Sequence, residues 1–198
     1  MDQSKSMRSQ MNNGRRNEVW DWYRNLPQEG RHTSGVIAAV EQRIKTETDQ
    51  ENLRTLQFIL ASEYGSHGRH VDAESVYLQL HHQMPHEPMP LILLAEQKLY
   101  YQEKPSDAME TIERAIPIAM QSGHFRRHAL GVKARIALAL FAYDVVEDVL
   151  KQLMQLKFTR GNADCAIERD FLDRLPPGAI NEEVARAYDE HSASAKKS

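Results

Sequence analysis

Between residues 60 and 85 the chain alternates small and large residues at helical spacing: Leu60, Ala61, Tyr64, Gly68, Ala73, Tyr77, Leu80 and Pro85. Two antiparallel helices that cross closely need small residues at the crossing, because larger ones would force the backbones apart. Ala61 and Ala73 meet that need, while Tyr64 and Tyr77 fill the space beside them. Gly68 opens the turn, and Pro85 ends the second helix because it has no N–H to donate.

The pattern recurs. Leu94-Ala95 follows Leu60-Ala61 after 34 residues, and Ala108, Ile112 and Ala115 echo Ala73, Tyr77 and Leu80 with one extra residue in the turn. A third copy holds Ala134, Ala137, Val146, Leu150 and Leu153, with an offset of 39 residues from Ala95. The excess is the longer turn at Lys104-Pro105-Ser106 plus about one helical turn. This order of residues resembles the tetratricopeptide repeat family, a helix–turn–helix of about 34 residues.

The resemblance covers roughly residues 53 to 156, with departures. Lys98 stands where an aromatic is usual, Phe141 where the turn glycine is usual, and Gln57 where tryptophan or leucine is usual. Leu80 replaces the usual small residue, and Pro117 inside the second helix of the second unit predicts a kink or an early stop. The fold class implied is all-α, a right-handed superhelix of antiparallel helix pairs with capping helices at both ends. Three repeats are expected at about 53–87, 88–125 and 126–158, inside one domain spanning 17–191.

Around the repeats, residues 1–16 are polar with almost nothing to bury, which predicts a disordered arm. Val19, Trp22, Tyr23 and Leu26 read as a short amphipathic helix ending at Pro27. Ser34 is placed to cap a second helix whose apolar stripe is Val36, Ile37, Val40 and Ile44. These two helices are expected to cover the apolar end of the first repeat, as stacked repeats require. Repeat helices are expected at about 51–66, 71–83, 89–102, 106–121, 126–141 and 144–157. Beyond a break at Gly161-Asn162, C-terminal capping helices are expected within 163–191: one over 163–174, and one started by Asn181 ahead of Glu182 and Glu183. Residues 192–198 read as a flexible tail, and nothing reads as a strand.

Composition bounds function. Hydrophobic residues at 41% of 198 supply one domain's core, and no apolar run approaches the ~20 residues of a membrane span. A net charge of −3 and a pI near 6.3 argue against a nucleic-acid binder. The single Cys165 allows no intramolecular disulfide, and the N-terminus lacks the apolar stretch of a secretory signal, so the expected location is cytoplasmic.

No nucleophile elbow or phosphate loop appears, so no enzyme activity, catalytic residue or cofactor is expected. The nine histidines include His124 and His128 at i, i+4 and a cluster of His81, His82 and His86. The first pair flanks Arg126 and Arg127, which repel a cation and lack a zinc helix's glutamate, so they are read as surface or capping groups rather than metal ligands.

What the resemblance implies instead is a partner-binding groove lined by the first helix of each unit. Its inward positions are Ser62 and Ser66 in the first unit, and Met89, Ile92, Glu96, Leu99 and Tyr100 in the second. The third contributes His128, Arg135, Leu138 and Ala139. The family's carboxylate-clamp subgroup carries Lys, Asn and Arg where this chain has Phe58, Ser62 and Glu96, so that clamp is not expected. A groove of this kind suits an apolar peptide or amphipathic helix of a protein partner, with Glu96 and Arg135 as polar markers.

Two alternatives stand beside it: that Met89, Ile92 and Leu138 are core, or that the chain's own C-terminal helices, 163–174 and 182–191, lie in the groove; Glu96 and Arg135 are also placed to pair with each other. The expected function is a protein-interaction adaptor or assembly chaperone. The other readings are a regulatory module of a transcription or signalling complex, hinted at by Arg8, Arg15 and Arg16, and a metal protein or enzyme on a helical scaffold. A homodimer is compatible with this surface but nothing specifies one.

Overall fold

The computed structural model describes residues 18–26, 34–156 and 169–195. All regular structure in them is helical. The chain divides into two compact units, one ending at Gln83 and the other beginning at Met84.

In the first unit, α1 (18–24), α2 (Ser34–Thr46), α3 (Gln50–Ser66) and α4 (His70–Gln83) follow in order. Val19 of α1 and Val36, Ile37 and Val40 of α2 are buried with Leu56, Ile59, Leu60 and Tyr64 of α3 and Ala73 of α4. The two N-terminal helices thus cover the first repeat, as its apolar end requires. The side chain of Ser34, the arm 1–16 and Pro27 lie outside the described residues. Asp49 starts α3 by accepting N–H bonds from Glu51 and Asn52, both at 3.1 Å. Tyr64 donates to Glu41 Oε1 at 2.6 Å, while the Arg69 guanidinium lies 4.0 Å over its ring. Burial and the Glu41 carboxylate raise the Tyr64 phenol above its usual range.

The second unit contains α5 (Met89–Tyr100), α6 (Pro105–Ser122), α7 (Arg126–Ala139), α8 (Tyr143–Gln155), a 3-10 turn (Arg169–Arg174) and α9 (Glu182–Ala195). Each helix packs on the next from α5 to α8, α7 also packs on α5, and α9 packs on α8. Ala95, Ala108, Ala134 and Ala137 are all fully buried, so small residues stand where consecutive helices approach.

The αL turn expected from Gly68 is present, with φ +75 and an Arg69 N–H bond to the Tyr64 carbonyl at 2.8 Å. The same left-handed geometry recurs at Phe141 (φ 57), where Ala142 N–H reaches the Ala137 carbonyl at 2.9 Å. The turn therefore survives the loss of its glycine, with a phenylalanine forced into a conformation that L-residues avoid.

Three local expectations change. Pro117 does not stop α6, which runs on to Ser122 and ends at Gly123 in αL. Proline removes one N–H bond, but the buried face of Ala108, Ile112, Ala115 and Ala119 continues past it. In the predicted helix over 163–174, residues 169–174 form a 3-10 turn, and Gly161-Asn162 and Cys165 fall outside the described residues. At the C-terminus α9 continues to Ala195, into the segment read as tail.

Candidate functional site

The first helices of the two repeats in the second unit, α5 and α7, place Glu96, His128 and Arg135 together. Arg135 Nη2 lies 3.6 Å from Glu96 Oε1, and His128 Nε2 lies 3.4 Å from the same oxygen. Their side chains are 22%, 15% and 17% exposed, so the cluster is largely shielded from solvent. His128 and Arg135 are seven residues apart on α7 and therefore share a face, which brackets the α5 carboxylate.

The Arg135–Glu96 contact is an ion pair beyond hydrogen-bond reach. Arg135 Nε and Nη2 are buried without a hydrogen-bond acceptor among the described residues. A guanidinium whose shielded N–H groups are unmatched carries a desolvation cost that an arriving acceptor would relieve.

The other groove candidates separate. Ile92 is fully buried in the core that Leu91, Ala95, Ala108, Ile112 and Ile136 help to form, so it is not available to a partner. The sequence places Ile92 and Glu96 on one helix face, but α5 is packed by both α6 and α7, which closes over its apolar positions. Leu138 is partly buried against the α7–α8 core, and Leu99 against the α5–α6–α7 core. Met89 is half-buried, while Tyr100 (53% exposed) and Ala139 stand open. Ser62 and Ser66 are exposed on α3, in the first unit.

The C-terminal helix does not lie along α5. It packs on α8, where Phe171, Ile180 and Tyr188 join Val146, Val149, Leu150 and Leu153 in one core. Asn181 caps it by accepting from Glu183 N–H at 2.8 Å, as its position ahead of two glutamates implies. Its own N–H donates to Glu147 Oε2 at 2.9 Å.

One arginine that the sequence marked only as repelling a cation is internal. Arg127 is 5% exposed and donates from Nη1 to the carbonyls of Leu153 and Leu156 at the end of α8. Its neighbour Arg126 donates from Nη2 to the Met120 carbonyl near the end of α6 at 2.9 Å. Two consecutive arginines thus satisfy carbonyls of the helices on either side of α7. The sequence signal was there, an arginine pair in a first helical turn with no acidic residue, but nothing local shows that helix ends lie within reach.

Among the described residues no three His, Cys, Asp or Glu side chains converge as metal ligands, and no helix is long and apolar enough to cross a membrane. No family model matches the sequence, and no curated protein matches it. Among solved structures, one described as Podosopora anserina putative kinesin light chain nearly identical TPR-like repeats aligns with a TM-score of 0.57. That alignment spans 94% of this chain and 97% of the other at 16% identity. Helix pairs packed in sequence, crossings made of alanine and this likeness together show a tetratricopeptide-like helical-repeat fold.

Proposed function

We propose that the chain is a protein-interaction scaffold, an adaptor or assembly chaperone, that holds a segment of a partner protein across α5 and α7. The observation that carries this reading is the Glu96–His128–Arg135 cluster. It sits on the first helices of two successive repeats, is partly shielded, and keeps hydrogen-bonding capacity that the protein does not use internally. Exposed Tyr100 at the end of α5 adds an aromatic surface of the kind that anchors interfaces. The partner segment is a peptide or amphipathic helix that places a polar group against the cluster. A lone cysteine fits work in the reducing cytoplasm.

The test is a binding screen on a peptide array, followed by titration of the best binders. Glu96→Arg combined with Arg135→Glu should abolish binding while leaving helicity intact. Lys133→Glu, which alters the Lys133–Glu113 pair between α7 and α6 instead, should leave binding unchanged. Equal loss in both variants, or none in the first, would reject this site.

A further inference from the structure

On α9, Val184, Tyr188 and His191 recur at i, i+4 and i+7, which puts them on one stripe of the helix. Tyr188 is 3% exposed in the core it shares with α8, and Val184 packs against that same core. His191 therefore belongs to the docked face, and its Nε2 is shielded from solvent.

The cation that acts on it is fixed in place. Arg127 is anchored through Nη1 to the carbonyls of Leu153 and Leu156, so its guanidinium has no freedom to retreat. A neutral imidazole tolerates that neighbour, whereas an imidazolium adds a second positive charge in a shielded position. Burial first, and then the Arg127 charge, hold the His191 imidazole below its ordinary value of 6.5. The sign follows: the docked helix favours neutral His191, and the undocked helix accepts the proton. The contribution of neutral His191 to docking is therefore present above pH 6.5 and is lost as pH falls through the docked-state value.

The other charged groups at this end keep their charge over the pH range concerned. The charged groups are Asp144, Glu147, Asp148 and Lys151 on α8, with Asp173 and Arg174 in the 3-10 turn. On α9 they are Glu182, Glu183, Arg186, Asp189 and Glu190. Side chains of these types do not ordinarily change charge between about pH 5.5 and 7.5. His191 is the only histidine after His128, and His128 on α7 faces Glu96 of α5.

We propose that His191 makes α9 an acid-released cap: its protonation loosens α9 from α8 and uncovers the apolar side chains beneath. Mild acidification then converts a closed helical repeat end into one able to accept another apolar surface.

Hydrogen exchange of the full chain at about pH 7.5 and about pH 5.5, expressed as protection factors, tests this. Amides of α9 should lose protection at the lower pH while those of α5 and α6 keep theirs, and His191→Gln should remove the difference. A parallel NMR titration of the wild-type His191 ring should show a midpoint below 6.5. Equal α9 protection at both pH values, the same loss in His191→Gln, or a midpoint at or above 6.5 would each overturn the proposal. Because two readouts use the wild-type protein, a His191→Gln variant that fails to dock α9 leaves the test decisive.

Discussion

Arg127 Nη1 donates to the Leu153 carbonyl at 2.9 Å, linking the first turn of α7 to the last turn of α8 in a buried position. A helix end leaves its last carbonyls without intrahelical partners, and a charged donor is among the stronger ways to satisfy them. Arg127→Met keeps much of the stem volume but leaves the Leu153 and Leu156 carbonyls without this donor. The expected loss is about 1–3 kcal/mol, read as a lower urea midpoint. An unchanged midpoint would mean that water replaces the guanidinium at no cost.

Phe141 holds φ 57 while 74% exposed, so its ring contributes little burial to offset the backbone cost. An L-residue in this region costs about 1–2 kcal/mol that glycine avoids, less what glycine adds to the entropy of the unfolded chain. Phe141→Gly should therefore stabilise the protein, by about 0.5–1 kcal/mol. A rise in Tm with unchanged helicity is the expected result, and a fall would show that the ring makes a contact the backbone argument leaves out.

Ala73 and Ala108 are fully buried at the starts of the second helices of two repeats. Leucine at either position should overpack the crossing and cost about 1–3 kcal/mol. The comparison is chemical denaturation of each variant against Ser75→Leu, an exposed position on α4 that should be near neutral. If the buried and exposed substitutions behaved alike, the crossing would lie elsewhere.

Glu147 accepts from Lys151 Nζ at 2.7 Å and from the Asn181 N–H at 2.9 Å. Lys151 first, and Asn181 second, hold the Glu147 carboxyl below its ordinary value of 4.5. The folded state thus favours the ionised form. Its contribution is present above pH 4.5 and disappears as pH falls through the lower folded-state value. Glu147→Gln should lower α9 protection at neutral pH and shrink the further acid-induced loss below pH 4.5.

Helix order was legible because each repeat repeats its own packing problem. Alanine at crossings, apolar residues at helical spacing and breakers in the turns all point to the same six helices, and consistency across these levels makes a sequence readable. Local caps were legible for the same reason, as Asn181 ahead of Glu182 and Glu183 shows. Of the two outcomes Pro117 suggested, the early stop does not occur, because its local cost is outweighed by a buried face that continues past it. In the candidate site, Glu96 and Arg135 were visible as polar residues at positions that the family resemblance turns inward. Ile92 was not separable from them, since one helix face reads the same whether it lines a groove or is closed by two neighbours.

The sequence by itself determined the helical repeat, its turns and the covering of both ends, because these follow from residue size and polarity at short spacing. Only the tertiary structure decided which polar residues meet and which are buried. Glu96 reaches His128 and Arg135, Arg127 turns inward to the end of α8, and the Nε2 atom of His191 is shielded from solvent. Such pairings join residues far apart in the chain, and their geometry is set by how whole helices pack, which no local pattern of side chains encodes.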